Sequence, residues 1–272
     1  MNNNTAIRYY IALFSYVLIF ACCHAKLAPQ SNTPPNSTAL QSNTLNKQII
    51  DEHGFPELMG QCTRAALLQA PFNSWFVKNY NDYSVDSLTA DRLRTSMAGL
   101  RFRIFMGTWC GDSRREVPRI FKILDYCGID STAVELIMVS AADSAYKQSP
   151  GHEERGLGIF RVPDLIVRDQ GRELGRIVES PVNSLEKDLL VLAEGGAYTP
   201  RYPGANRLVQ AFREEKMENI ERALPEWAAR IRPLVQSPSE LNVYARVART
   251  AGETQKASII LRINTLIFPD QK

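Results

Sequence analysis

The stretch RFRIFMGTWCGDS, residues 101–113, decides how this chain reads. Arg101 to Met106 alternates basic and apolar side chains, the period of a strand. Gly107-Thr108-Trp109 is a turn. From Cys110 to Asp125 the apolar residues Val117, Ile120, Phe121, Ile123 and Leu124 recur at helical spacing. A strand that passes through a tight turn into a helix sets Cys110 at the helix N-terminus. Unpaired N–H groups and the positive end of the helix dipole there favour thiolate over thiol. Arg114 and Arg115 add to this if either turns back toward the sulfur. Asp112 opposes it on charge while capping the helix.

Upstream, residues 49–80 read as helical, with Leu58, Met59, Cys62, Ala65, Ala66 and Leu68 at helical spacing. Ser87 to Leu100 is a second helix with Leu88, Leu93 and Met97 inward. Downstream, Ala133 to Ser140 is a short apolar strand of the kind buried in a parallel sheet. Residues 141–158 hold Pro150, Gly151, Gly156 and Gly158 and read as a polar loop with at most one short helix. Asp164 to Arg168, the turn Asp169-Gln170-Gly171 and Arg172 to Glu179 form a hairpin. Asn183 with Glu186 resembles a capping box that opens a helix through Leu185, Leu189, Leu190 and Leu192. Strand, helix, strand, hairpin and helix make an α/β sandwich of about 110 residues. Beyond residue 200 the chain is helical, with two amphipathic stretches over 205–235 broken by Pro225 and Pro233.

Three features placed in this order resemble the thioredoxin family. Trp109-Cys110 stands at the strand-to-helix turn where that family has its nucleophile. Pro118 follows eight residues later, at the family's helix-kinking proline. Gly158-Ile159-Phe160-Arg161-Val162-Pro163 matches the segment leading to the family's cis-proline, and the hairpin Gly171 keeps the spacing. The resemblance covers roughly residues 84–195. It implies a thioredoxin-like α/β sandwich, a central mixed sheet flanked by helices, with Cys110 as nucleophile and Trp109, Gly111, Asp112, Val162 and Pro163 lining a substrate groove.

The departures from that pattern are as informative. Ser113 stands where two-cysteine members carry the resolving thiol. A serine can hydrogen-bond a thiolate, but it cannot form the disulfide that releases a bound substrate. Cys127 lies 17 residues beyond Cys110, and a helix between them separates the two by roughly 25 Å. Ile104 occupies the position of the family's buried acid, and Glu179 that of a groove glycine. A carboxylate at 179 is either an acid or base near Cys110 or a solvated strand-end charge. His152, Glu153 and Glu154 either reach the site or lie on a surface loop. The peroxiredoxin pattern fails, with Arg103 and Gly107 where it needs proline and threonine. The C-x-x-x-C of copper chaperones fails at Arg114.

The ends of the chain carry separate signals. Arg8 followed by the twelve apolar residues 10–21 fits a signal peptide (residues 1–21) and is short for a membrane span of ~20 residues. Ile19-Phe20-Ala21-Cys22 resembles a bacterial lipobox, with Phe20 where a small residue is usual. Lipidation at Cys22 (or Cys23), a plain cleaved signal and an uncleaved anchor all export the chain. Residues 22–48, rich in Ser, Asn, Thr, Gln and Pro, read as a disordered tether. A helical extension is expected over 49–83, the sandwich over 84–198, and a helical region over 199–272. Within that last region residues 238–270 resemble one tetratricopeptide repeat, through Pro238, Leu241, Tyr244, Ala245, Gly252, Ala257, Leu261 and Pro269.

Composition excludes some classes. With 32 basic and 29 acidic residues among 272, the net charge of +3 makes no case for nucleic acid. The five cysteines include no C-x-x-C pair, so zinc is unsupported; a Cys62–Cys127 disulfide is conceivable. No cofactor is expected. The leading expectation is an exported, lipid-anchored protein on the periplasmic or cell-surface face of a bacterial membrane. It would act by monothiol exchange through Cys110, with Ser113 orienting the thiolate and Glu179 or Arg114 accessory. Its partners would be thiol- or disulfide-containing proteins and an external thiol reductant. The alternative is a redox-inactive lipoprotein of the same fold that binds a partner.

Overall fold

Two adjacent parallel strands, β3 (Arg101–Met106) and β4 (Val134–Met138), form the middle of the sheet and are joined through helix α4 (Gly111–Tyr126). The computed structural model describes residues 45–270, so the expected signal peptide, the lipidation expected at Cys22 (or Cys23) and most of the expected tether lie outside the described residues. Strands β5 (Asp164–Asp169) and β6 (Arg172–Val178) extend the sheet antiparallel beyond β3. On the other side, β2 (Pro56–Cys62) pairs antiparallel with β4 and carries β1 (Lys47–Ile50) at the edge. The result is a six-stranded mixed sheet of order β1-β2-β4-β3-β5-β6 in an α/β protein.

Strand alternation divides the core. Phe102, Ile104, Met106, Leu136, Met138, Leu165 and Val167 share one cluster with α4 and with α2 (Asn73–Asp82), α3 (Ser87–Ser96) and α5 (Leu185–Ala193). Their neighbours Phe105, Ile137 and Ile166 form a smaller cluster with Val139, Ile159 and Val162. Period-2 alternation therefore sets which residues meet which layer. Phe160 and Val178 belong to a third cluster, built by α6 (Pro203–Glu214), α7 (Met217–Arg222), α8 (Leu224–Ile231), α9 (Pro238–Thr250) and α10 (Thr254–Ile267).

The helix expected from residue 49 is corrected: residues 47–62 are a β-hairpin, and helix begins only at α1 (Arg64–Leu67). Asp51 Oδ1 accepts from the backbone of His53 and Phe55 at 2.9 and 2.7 Å, and Gly54 adopts φ +84°. These bonds close the turn. β2 lies between two strands and is buried on both faces over Glu57–Gly60. Its apolar residues therefore do not alternate, and Leu58-Met59-Cys62 matches a helical period by accident. Lys47 and Gln48, expected at the end of a tether, belong to β1.

A second correction concerns the cap of α5. Ser184 Oγ, not Asn183, accepts the Lys187 N–H at 3.2 Å. Glu186 is buried and accepts from Tyr83 Oη at 2.9 Å and the Asp86 N–H at 3.1 Å. A tertiary partner has taken the side chain that a capping box would use. Pro225 and Pro233 sit in the first turns of α8 and of a 3-10 turn at Arg232–Leu234, where no N–H is needed, rather than inside helices.

The C-terminal region is helical as expected. α9 and α10 form a helical hairpin, its ends tied where Asn264 Nδ2 donates to Pro238 O at 3.0 Å and Asn242 Oδ1 at 2.8 Å. Among the described residues no helix is long and apolar enough to cross a membrane.

Gly158, on the segment leading to Pro163, adopts φ +62°, and a Cβ there would lie 2.7 Å from both Val209 methyls of α6. Gly158→Ala is expected to lower stability by roughly 1–3 kcal/mol through left-handed strain and overpacking. Val209→Ala in the same chain should relieve the packing part. Urea unfolding of the single and double variants checks this, and a single variant within ~0.5 kcal/mol of wild type would refute it.

Candidate functional site

The turn after β3 is held from three sides. Thr108 is buried, and its Oγ1 accepts from the Leu58 N–H of β2 at 3.3 Å. Trp109 Nε1 donates to Val139 O at 2.9 Å. The indole lies so close over Gly107 that a Cβ there would come within 2.3 Å of Nε1, which explains the glycine. Cys110 is the N-cap residue of α4, with extended φ −83° and ψ 124°, and its carbonyl accepts the Arg114 N–H at 3.0 Å.

The Cys110 sulfur is half-buried and donates to Val162 O at 3.3 Å. The Val162–Pro163 peptide is cis. Residues 52 positions apart thus meet at one point. The other described cysteines differ. Cys62 and Cys127 are buried free thiols, so the conceivable disulfide between them is not formed. Burial pushes Cys62 up to about 12 and Cys127 up to about 11. Neither is suited to attack at neutral pH.

The side chains that follow Cys110 have partners of their own. Ser113 is 0% exposed, and its Oγ accepts from the Gly107 N–H at 3.4 Å. Among the described residues no hydrogen bond joins it to the Cys110 sulfur. Asp112 makes no capping bond and pairs with Arg115 at 2.7 Å. Arg115 also pairs with the buried Glu116 at 2.6 Å. Arg114 Nε donates to Thr108 O, and its guanidinium stacks 5.9 Å from the Trp75 ring. Neither arginine takes the Cys110 sulfur as its hydrogen-bond or ion-pair partner.

Glu179 does reach the proline. Its N–H donates to Pro163 O at 2.7 Å, and it adopts φ +64°, the left-handed region that favours glycine. Its carboxylate is neither solvated nor free. It pairs with Arg161 at 3.3 Å and accepts from Tyr202 Oη. Burial, and then that bond, push the Tyr202 hydroxyl up to about 12. Next to Pro163, the fully buried Asp164 pairs at 3.1 Å with Arg176, which also binds Glu173 at 2.7 Å and Leu157 O at 3.0 Å. Arg213 of α6 joins Glu173 at 3.0 Å.

The 141–158 segment is more ordered than a polar loop suggests. Ser140 and Lys147 close it with backbone bonds, Lys147 N–H to Ser140 O at 2.9 Å and Ser140 N–H to Gln148 O at 3.0 Å. Ser149 Oγ binds Glu153 and Glu154, and His152 Nδ1 lies 3.4 Å from Glu154 Oε1, so these side chains fold the loop on itself. Tyr146 packs against Trp109 with ring centroids 6.2 Å apart. Lys147 follows, 4% exposed, with its ammonium 5.6 Å from the Trp109 ring. No sequence signal marks Lys147, because a lone lysine in a polar segment reads as solvated.

Among the described residues no group of His, Cys, Asp and Glu is arranged to hold a metal ion. An apolar cavity of about 760 Å³ between α7, α8 and α10 has Leu224, Ala257 and Leu261 in its wall and includes no residue of the Cys110 site. Comparison with protein-family models, with curated proteins and with solved structures finds no match.

Proposed function

We propose that this chain is a thioredoxin-like protein that carries out monothiol thiol–disulfide exchange through Cys110, exported and tethered to a bacterial membrane by lipid on Cys22. The carrying observation is the half-buried Cys110 sulfur at the N-terminus of α4, 3.3 Å from the carbonyl before cis-Pro163. The Cys110 thiolate attacks one sulfur of a substrate disulfide. A Cys110–substrate disulfide forms, and the second substrate sulfur leaves as thiolate. In this reading the substrate approaches Cys110 beside the Val162–Pro163 segment. With Ser113 in place of a second thiol and Cys127 buried at the far end of α4, release requires attack by an external thiol or by another thiol of the substrate. The first route reduces the substrate and the second isomerises it. Export and anchoring rest on the apolar run and on Ala21-Cys22.

Treatment with an aromatic disulfide at neutral pH is expected to place one mixed disulfide on Cys110, located by peptide mass spectrometry. Cys62 and Cys127 should react at least ~100-fold more slowly. The adduct should persist until an external thiol is added, and Cys110→Ala should give none. Equal labelling of the three thiols, or no labelling of Cys110 in folded protein, would refute the exchange reading and favour a redox-inactive binding module.

A further inference from the structure

Among the described residues β1 has a partner strand on one side only. We infer that its open edge pairs with the same edge of a second copy of this chain, antiparallel about a two-fold axis at Ile49. An open edge is a row of N–H and C=O groups that accepts another strand unless something blunts it. The ladder with β2 fixes where those groups point. Lys47 pairs with Met59 and Ile49 with Glu57, and just beyond them the Asp51 N–H donates to Phe55 O at 2.8 Å. Hydrogen-bonded and non-hydrogen-bonded pairs alternate along an antiparallel ladder. Lys47, Ile49 and Asp51 therefore turn their backbone groups toward β2, and Gln48 and Ile50 turn theirs to the open side.

Two such edges can exchange hydrogen bonds through Gln48 and Ile50 with the axis at Gln48, at Ile49 or at Ile50. An axis at Gln48 sets Lys47 opposite Ile49 of the second copy. An axis at Ile50 sets Ile49 opposite Asp51 of the second copy. An axis at Ile49 sets Lys47 opposite Asp51 twice, by symmetry, and Ile49 opposite its own copy. Opposite charges and apolar pairs stabilise directly facing positions, so this last register is selected. Lys47 is exposed and, among the described residues, in no ion pair. A lysine on an edge strand ordinarily blunts it; facing a carboxylate, it chooses a register instead. Asp51 spends Oδ1 on the turn, on the N–H groups of His53 and Phe55. Glu57, across from Ile49 on the same face, is 3% exposed with Oε1 unpartnered, and burial, then the Asp51 charge, push its carboxyl up. Lys47 of the second copy brings a cation to these two carboxylates. Ile50, 63% exposed, comes to lie beside Gln48 of the second copy. A pairing of this length buries less than the ~1,200 Å² of a stable interface, so the dimer population rises with concentration.

The test is an oxidative trap in the full chain. Residues facing each other on the axis form a non-hydrogen-bonded pair with Cα atoms ~4.5 Å apart, within the range that a disulfide spans. Ile49→Cys is therefore expected to give a disulfide-linked dimer under mild oxidation, read as the linked peptide by mass spectrometry. Linkage should be at least about tenfold faster than in Lys47→Cys, whose two copies lie roughly 13 Å apart along the strand. Sedimentation of wild type up to about 1 mM should show monomer passing into dimer. Lys47→Glu should weaken association about tenfold, because like charges then face each other. Asp51→Asn, which keeps the turn acceptor, should weaken it less. Ile50→Pro should abolish it by removing an N–H that β2 does not use. Fastest linkage in Gln48→Cys or Ile50→Cys would move the axis and overturn the register together with the charge pairing behind it. A folded protein that stays monomeric at every concentration overturns the inference. Protection of the Gln48 and Ile50 amides from deuterium exchange in that monomer would show that another part of the chain covers the edge.

Discussion

Ser113→Cys is expected to shorten the lifetime of a Cys110 mixed disulfide at least ~100-fold in the absence of external thiol, because it turns an intermolecular release into an intramolecular one. Position 113 lies three residues into α4 from the N-cap Cys110. Side chains at that spacing in a helix lie ~5–6 Å apart at Cβ, and disulfides need ~3.5–4.5 Å, so a small shift of the first turn suffices. The new sulfur would replace an Oγ that is fully buried and accepts one N–H, from Gly107 at 3.4 Å. The loss of that bond is small beside the kinetic gain, since a hydrogen bond contributes about 1 kcal/mol. Loading the protein with an aromatic thiol adduct and following its decay by mass spectrometry checks this. The product should be an internal disulfide between Cys110 and the introduced thiol, in a protein that now oxidises and reduces in a two-electron cycle. Cys110→Ala with Ser113→Cys serves as the control. An adduct as long-lived as in wild type, in a variant of native stability, would show that the groove geometry does not place residue 113 for resolution.

Arg176→Met is expected to cost about 3–5 kcal/mol of unfolding free energy, the largest loss of any single change discussed. Arg176 pairs with Asp164 at 3.1 Å and with Glu173 at 2.7 Å, and neither Asp164 nor Arg176 has more than 5% of its side chain exposed. Methionine fills much of the same volume. It leaves Asp164 sealed beside cis-Pro163 with no cation, so the penalty is that of an uncompensated buried carboxylate. Denaturant unfolding at pH 7 measures it, and a loss under ~1 kcal/mol would show that Arg176 adds little.

The companion change Asp164→Asn isolates the pH term. Burial pushes the Asp164 carboxyl up to about 6, with Arg176 pulling it back. The folded protein keeps that proton up to about pH 6, whereas the unfolded chain releases it near ~3.9. Asp164 therefore contributes stability that is fully present below the unfolded value and is lost as pH rises toward about 6. The stability of Asp164→Asn relative to wild type should accordingly increase between pH 4 and pH 6 and level off above. A difference that is flat over this range would contradict the assignment.

Local order and spacing were enough for much of the architecture. The alternation of Arg101–Met106, the helical run after Cys110 and the Asp169-Gln170-Gly171 turn each report only on neighbours in the chain, and each stands in the structure. The strand from Asp164 was legible too, because its apolar run and the turn after it are local signals. Residues 49–62 misled for the same local reason. A strand buried on both faces has no alternation, and Leu58-Met59-Cys62 then fits a helix as well as a strand. The turn bonds of Asp51 and the pairing of β2 with β4 decide it, and the second of these joins residues more than 70 positions apart.

By itself the sequence determined a strand–helix–strand–hairpin α/β unit with Cys110 at a helix start, followed by a helical region. Only the tertiary structure decided what surrounds that cysteine. It turned Ser113 inward to Gly107, committed Glu179 to Arg161 and Tyr202, and spent Arg114 on Thr108. It also buried Lys147 beside Trp109. The physical reason is that polar side chains choose partners after burial, by which groups desolvation leaves unpaired, and those groups come from distant parts of the chain.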